Sequence, residues 1–217
     1  MNLKRASLIF TSLFGLIAGL WLISHDFNDD GSYLRQILTP QTGGQYLRAL
    51  FTPHDNIRKT IVELINHEQQ EICVAVYYLT DSKIAHALVD AANRKVKVTV
   101  ITEPKHVLEC EHSQIFQLQH PNIQCYVFQH HQDMGIMHHK FIVLSKNLDG
   151  QAIVATGSFN YTRSAQKYNQ ENIVITNDPL TVTRYQKQFT YLQKNALPLT
   201  EFLFANRFSP KPTRKHK

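Results

Sequence analysis

Three clusters of polar residues between His138 and Glu171 have the makings of a reaction site. They are His138-His139-Lys140, Gly157-Ser158-Phe159-Asn160 and Asn169-Gln170-Glu171-Asn172. On an extended chain, residues two apart share a face. His138 and Lys140 would then bring an imidazole and an ammonium into one pocket. An imidazole can attack an electrophile or pass a proton near neutral pH. An ammonium can hold a phosphate oxygen. Ser158 and Asn160 add a hydroxyl, an amide and backbone N–H groups at the start of a predicted helix, where anions bind well. Glu171 can accept a hydrogen bond from an imidazole N–H and so choose its tautomer. Together these residues make a set suited to phosphoryl transfer without a metal. A general acid for the leaving group is missing from the set, because His139 points away from His138. Each residue also has a plainer reading. His138 could be a satisfied structural histidine, Asn160 the cap of a helix starting at Tyr161, Ser158 part of a turn, and Glu171 a surface residue. An unpaired lysine on an apolar strand would be costly to bury, which favours a pocket at Lys140.

Rigid elements must hold these groups in place. Apolar runs flank each cluster: Phe141–Leu144 after the first, Ile153–Thr156 before the second and Ile173–Ile175 after the third. Read as strands, they present side chains at their ends to one crevice. Upstream, Ala49–Phe51 reads as a short strand. Asp55 reads as the N-cap of a helix whose inner face is Ile57, Ile61, Leu64 and Ile65. Ile72–Tyr78 is an uninterrupted apolar run, as in a strand buried on both faces. Asp81 can cap a helix that turns Ile84, Leu88 and Ala91 or Ala92 inward. Val96, Val98 and Val100 alternate with Lys97 and Thr99, the pattern of a half-buried strand. Pro104–Gln119 is predicted to be helical, and Pro121-Asn122 turns the chain into a strand over Ile123–Phe128. Val182, Tyr185, Phe189 and Leu192 form one face of a closing helix. This alternation of strands and helices predicts an α/β layered fold, with a largely parallel mixed sheet and helices on both faces.

Of the 217 residues, 43% are apolar and 18% charged, enough for one folded domain with appendages and unlike a disordered chain. The net charge of +6 is largely a property of residues 207–217, which hold Arg207, Lys211, Arg214, Lys215 and Lys217 and no acid. It does not mark a basic groove in the domain, although such a tail can touch phosphates. Three cysteines, Cys73, Cys110 and Cys125, do not make a disulfide framework. Cys110, His112, His120 and Cys125 fit no standard zinc spacing, and neither a metal nor a cofactor is expected. Near the N-terminus, Lys4 and Arg5 precede an uncharged run, Ala6–Ile23. As a helix it is about 27 Å long, close to the hydrocarbon thickness of a bilayer. Residues 1–25 therefore read as a membrane anchor, with a cleaved signal peptide as the alternative. No small-x-small site follows Leu22. The basic flank would leave the N-terminus cytoplasmic and the domain on the non-cytoplasmic side, periplasmic in a bacterium. Cleavage would instead release the domain. Residues 26–45 read as a linker, 46–206 as the domain and 207–217 as a basic tail.

His138-x-Lys140, Gly157-Ser158-x-Asn160 and Glu171-Asn172, in this order and each beside an apolar strand, resemble the phospholipase D superfamily. The likeness is strongest to its short, single-motif members: bacterial endonuclease-like phosphodiesterases and the mitochondrial, membrane-anchored zucchini group. It extends from Ala49 to Leu192 and includes Phe51-Thr52-Pro53 and Val76-Tyr77-Tyr78-Leu79-Thr80-Asp81. The resemblance implies a metal-independent phosphodiesterase acting on phospholipid or nucleic acid. It also supplies the missing acid. Two motifs meet at one site in this superfamily, so a chain with one motif implies a homodimer. One His138 would attack phosphorus and the other would protonate the leaving oxygen, while Lys140, Ser158 and Asn160 hold the phosphate and Glu171 orients a histidine. The chain departs from the motif His-x-Lys-x4-Asp at Ser145, which stands in the aspartate position. That substitution keeps open a non-catalytic scaffold binding phosphate, lipid or nucleic acid.

Overall fold

Alternation along each strand decides which layer it faces. The computed structural model describes residues 32–39, 44–130 and 135–207. The apolar run Ala6–Ile23 and residues 208–217 lie outside the described residues. Among those described, no helix is long and apolar enough to cross a membrane. The elements run in the order α1 (Ser32–Ile37), β1 (Leu47–Phe51), α2 (Ile57–His67), β2 (Glu71–Val76), α3 (Ser82–Asn93), β3 (Lys97–Thr102), α4 (Pro104–Leu108), β4 (Ile123–Phe128), β5 (Lys140–Leu144), β6 (Ile153–Gly157), α5 (Arg163–Lys167), β7 (Asn172–Thr176), α6 (Pro179–Lys194), β8 (Ala196–Pro198) and α7 (Leu199–Asn206). Val74 and Val76 of β2 and Ile142 and Leu144 of β5 pack with Ile57, Ile61 and Leu64 of α2 and Ile84 and Leu88 of α3. The intervening Ala75, Phe141 and Val143 pack with Val182, Phe189 and Leu192 of α6. Helices therefore cover both faces, as the uninterrupted apolar run of β2 requires.

The eight strands lie in the order β1-β7-β6-β5-β2-β3-β4-β8. Only β2–β3 and β3–β4 pair in parallel; the other five pairings are antiparallel. This corrects the expectation of a largely parallel sheet. The two βαβ units read from the sequence are real, and they form the parallel part. The pairings of β5, β6 and β7 join strands that run in opposite directions, and such neighbours need no helical crossover. β1, which the strand–helix–strand pattern would set beside β2, instead pairs with β7 at the far edge.

Several local expectations also shift. Part of residues 26–45 is not a linker: Ser32–Ile37 is helical, and Leu34 and Leu38 are buried in the main core. Asn56 is the cap of α2, its side chain accepting from the Lys59 N–H at 3.0 Å. Asp55 instead accepts from the Phe51 N–H at 2.8 Å. Asp81 caps α3 as expected, accepting from Lys83 N–H at 2.9 Å. Thr99 is buried, so β3 is covered on both faces and only Lys97 is exposed. The helix expected over Pro104–Gln119 shortens to α4 and a 3₁₀ turn, Ile115–Gln117. α6 is followed by β8 and α7 and does not close the fold.

His106 explains the short helix. It is fully buried, and its Nε2 accepts from the Leu79 N–H at 3.2 Å and lies 3.0 Å from the Ser113 hydroxyl. The ring thus joins the end of β2 to the segment beyond α4. Burial pushes its pKa down to about 4. Between about pH 6.5 and 4 the unfolded chain takes a proton that the native ring refuses. Stability should fall as pH drops through that window, by about 3 kcal/mol in full. Urea midpoints at pH 7 and pH 5 measure it, and His106→Gln should flatten the dependence.

Candidate active site

Four strands end at one edge of the sheet. Since β5 runs antiparallel to β2, the start of β5 at Lys140 lies opposite Val76, the last residue of β2. The end of β6 at Gly157 pairs with Ile173 at the start of β7. This register gathers Tyr77, His138, Lys140, Ser158, Asn160 and Glu171 along adjacent strand ends. Gly157 is needed for the closest approach. A Cβ there would sit 2.1 Å from the Asn172 carbonyl oxygen and 2.8 Å from Ile173 Cα, both backbone atoms.

His138 and Lys140 meet as their spacing predicts. Lys140 Nζ lies 2.9 Å from His138 Nδ1 and donates to the His138 carbonyl at 2.8 Å. Lys140 is 7% exposed, whereas His138 is at the surface. The Tyr77 ring stands edge-on to His138 at 4.8 Å, and the ammonium lies 5.4 Å from its centroid. Burial holds the Lys140 pKa below its ordinary value, while the nearby Glu171 charge favours the ammonium. Burial and then the Lys140 charge lower the His138 pKa, and Glu103 opposes them. At neutral pH this favours an uncharged imidazole, the form with a free lone pair. His139 points to the other face, as expected, with its ring 5.5 Å from Phe141 and its Nε2 3.3 Å from the Gln188 amide of α6.

The remaining residues form a hydrogen-bonded wall. The Ser158 hydroxyl donates to Glu171 and accepts from the Asn172 N–H at 3.1 Å. Glu171 also accepts from the Asn169 amide at 2.9 Å. Within one chain, then, Glu171 holds Ser158 and makes no hydrogen bond to His138 among the described residues. Asn160 does not cap a helix. Its amide oxygen accepts from the Tyr78 N–H at 3.3 Å, and Thr162 caps α5. With the oxygen tied to the segment after β2, the Asn160 NH₂ remains as a donor.

Two residues escaped the sequence reading. Tyr77 is one; its place in an apolar run and in the family-like stretch Val76–Asp81 gives it no role of its own. Glu103 is the other. It is 2% exposed at the end of β3 and accepts from the Met137 N–H at 2.8 Å and from His130 Nε2 at 3.0 and 3.1 Å. It thus fastens the residue before His138, and its charge reaches the imidazole. Glu103-Pro104 carries a helix-start signal but none for this long-range role. Ser145 lies at the opposite end of β5, about 17 Å from Lys140 at strand rise. The turn after it is held by the buried Glu68, which accepts from the Lys146 N–H at 2.9 Å and the Asn147 amide at 3.3 Å. The missing aspartate therefore leaves the histidine–lysine end untouched. Among the described residues, no three His, Cys, Asp or Glu side chains are grouped so as to hold a metal ion, and Cys110, His112, His120 and Cys125 do not come together as one.

A histidine and lysine on one strand face, walled by serine, asparagine and glutamate on a mixed sheet, define the phospholipase D-like class of site. The family model described as "Cardiolipin synthase, PLD-like domain" matches residues 61–193. A mitochondrial cardiolipin hydrolase of Xenopus laevis is 35% identical over 155 residues, 70% of this chain and 69% of that protein. A phospholipase D of Rickettsia typhi is 30% identical over 159 residues, 73% of this chain and 74% of that protein. The structure of Nuc from Salmonella typhimurium, a phospholipase D family member, has a TM-score of 0.62 at 22% identity, covering 71% of this chain and 97% of that one. NucT from Helicobacter pylori gives a TM-score of 0.65 at 20% identity, with 71% and 99% covered. The chain belongs to the phospholipase D-like family of phosphodiesterases, as a single-motif member.

Proposed function

We propose that this protein hydrolyses phosphodiesters without a metal, through a phosphohistidine on His138, at a site completed by a second copy of the chain. The observation that carries the reading is the pairing of Lys140 Nζ with His138 Nδ1 at 2.9 Å. While the lysine donates to Nδ1, the neutral ring keeps its proton on Nε2. A bound phosphate would compete for the ammonium. Once freed, Nδ1 can take the proton and expose the Nε2 lone pair to phosphorus. The Nδ1–H then needs an acceptor, and Glu171 of a second copy would supply one. Attack by one neutral His138 forms the N–P bond and breaks the bond from phosphorus to the leaving oxygen, which takes a proton from the protonated His138 of the second copy. That second ring, now neutral, then takes a proton from water, and the hydroxide cleaves the N–P bond and restores both histidines. Lys140, Ser158 and Asn160 would hold the phosphate oxygens.

A two-fold arrangement is supported by the site face. His138 and Ser158 are exposed there. Phe51, Ile136 and Tyr168, all close in sequence or register to the site, are 53%, 47% and 77% exposed. Burying such apolar side chains favours association. The relatives named cardiolipin hydrolase and phospholipase D support hydrolysis of a phosphodiester, and their names are those of phospholipid hydrolases. Ala6–Ile23 would anchor the domain to a membrane, on its non-cytoplasmic side.

Mixed dimers test the shared site. A wild-type subunit paired with a His138→Ala subunit should have almost no activity, and EDTA should leave the wild-type rate unchanged. Full activity per wild-type subunit in purified mixed dimers would overturn the reading, as would a loss in EDTA restored by zinc or magnesium.

A further inference from the structure

We infer that a groove of about 540 Å³ beside the active site is a second phosphate subsite, taking a non-scissile phosphate of a polynucleotide strand. Four cationic side chains line it: Arg58 at the start of α2, Lys83 at the start of α3, and Arg163 and Lys167 on α5. One carboxylate faces them, Asp81, which is 4% exposed and already committed. It accepts from the Lys83 N–H at 2.9 Å, from the Ile84 N–H at 3.4 Å and from the Arg58 guanidinium at 3.4 Å. Lys83, Arg163 and Lys167 are exposed and make no ion pair among the described residues. The folded chain thus converges three unpaired cations from α3 and α5 beside the Arg58–Asp81 pair, which favours an anion between them.

The groove is tied rigidly to the site. Tyr161 N–H donates to the Tyr78 carbonyl at 3.0 Å, and the Thr80 and Asp81 N–H groups donate to the Tyr161 carbonyl at 2.9 Å each. These bonds lock Tyr77–Lys83 to Asn160–Arg163, so one backbone floor serves both places. Asn160 and Arg163 are three residues apart, at most about 10 Å. A polynucleotide strand with one phosphate at Asn160 would therefore bring a neighbouring phosphate to Arg163. A lipid phosphate would arrive with acyl chains, yet every residue lining the groove is polar. The chemistry therefore favours a polynucleotide. The inference rests on the phosphodiesterase reading for the position of the scissile phosphate, so binding is measured apart from turnover.

The test uses the full chain and a K83E/R163E/K167E variant whose thermal unfolding matches the wild type. A Lys83→Gln/Lys167→Gln variant serves if the triple variant is unstable. Anisotropy of a fluorescent single-stranded oligonucleotide in EDTA, titrated against salt, reads affinity. The triple variant should bind at least tenfold more weakly, with a shallower dependence of log affinity on log salt. The ratio of oligonucleotide cleavage to bis(p-nitrophenyl) phosphate cleavage should also fall at least tenfold. Equal oligonucleotide affinity in wild type and variant would overturn the subsite. So would weakened binding to cardiolipin vesicles with oligonucleotide binding unchanged, which would assign the groove to a lipid headgroup. Absence of turnover on every substrate, with the oligonucleotide result as expected, would count against hydrolysis and not against the groove.

Discussion

His138→Ala should lower phosphodiester turnover by about 10⁴-fold or more, the scale seen when a covalent nucleophile is removed. In a symmetric dimer the change deletes two roles at once, the attacking nitrogen and the acid for the leaving oxygen. The fold should not suffer, because His138 is exposed and its contacts are the Tyr77 ring and Lys140. Steady-state assays on bis(p-nitrophenyl) phosphate give the loss, and base-quenched single turnovers with a labelled diester show whether a phosphoenzyme forms. Wild type should trap label in an acid-labile, base-stable form, as a phosphoramidate requires. A loss under tenfold would return His138 to a structural role. In the wild type the neutral ring attacks, and its pKa is held below the ordinary histidine value by burial and by Lys140. Activity should therefore persist below pH 6.5 before its acid limb falls. Two such rings facing each other titrate as a pair, so the limb belongs to both.

The second large effect is expected at Lys140. Lys140→Met should cost about 10³-fold in kcat, near the upper range for removing one preorganised donor to a developing charge. Stability should move the other way. The ammonium is nearly buried, and its hydrogen bonds go to a ring nitrogen and a carbonyl, not to a carboxylate. Its pKa is depressed by that burial, so the native state pays to keep it charged at neutral pH. An apolar side chain of similar length relieves this, and unfolding should become harder by about 1 kcal/mol. The acid limb should also move up, since the charge that lowers the His138 pKa is gone. Lys140→Arg should not rescue the rate, because a planar fork cannot replace a point charge in this buried place. Urea unfolding and a pH–rate profile of the same variant check all three. A destabilised protein with nearly normal kcat would mean that Lys140 is a structural residue.

The reaction centre was legible because it depends on short-range rules. Two residues apart on a strand means one face, and Lys140 does meet His138. Asp81 caps its helix because a carboxylate directly before the first turn reaches the free Lys83 and Ile84 N–H groups. Ile57, Ile61, Leu64 and Ile65 are buried because their spacing leaves one continuous apolar stripe. What misled were features whose meaning depends on partners far along the chain. Ser32–Leu38 looks polar and linker-like, yet Leu34 and Leu38 reach a core that runs from Tyr46 to Phe202. His106 and Ser113 fall in a stretch that reads as one helix, yet they bond to each other inside the protein, and His106 also bonds to Leu79. Glu103 carries no pattern at all, since its meaning lies in the Met137 N–H and His130, 34 and 27 residues later.

By itself, then, the sequence determined the local elements, the His138–Lys140 pair and the family, all of which rest on side-chain order and the two helix and strand periods. Tertiary structure decided the rest. Strand pairing is a long-range choice, and backbone hydrogen bonds carry no side-chain code, so the antiparallel majority of the sheet could not be read from β–α–β order. The same pairing swings Glu171 onto Ser158, leaves Ser145 at the far end of β5, and brings Arg58, Lys83, Arg163 and Lys167 from three separate segments to one groove.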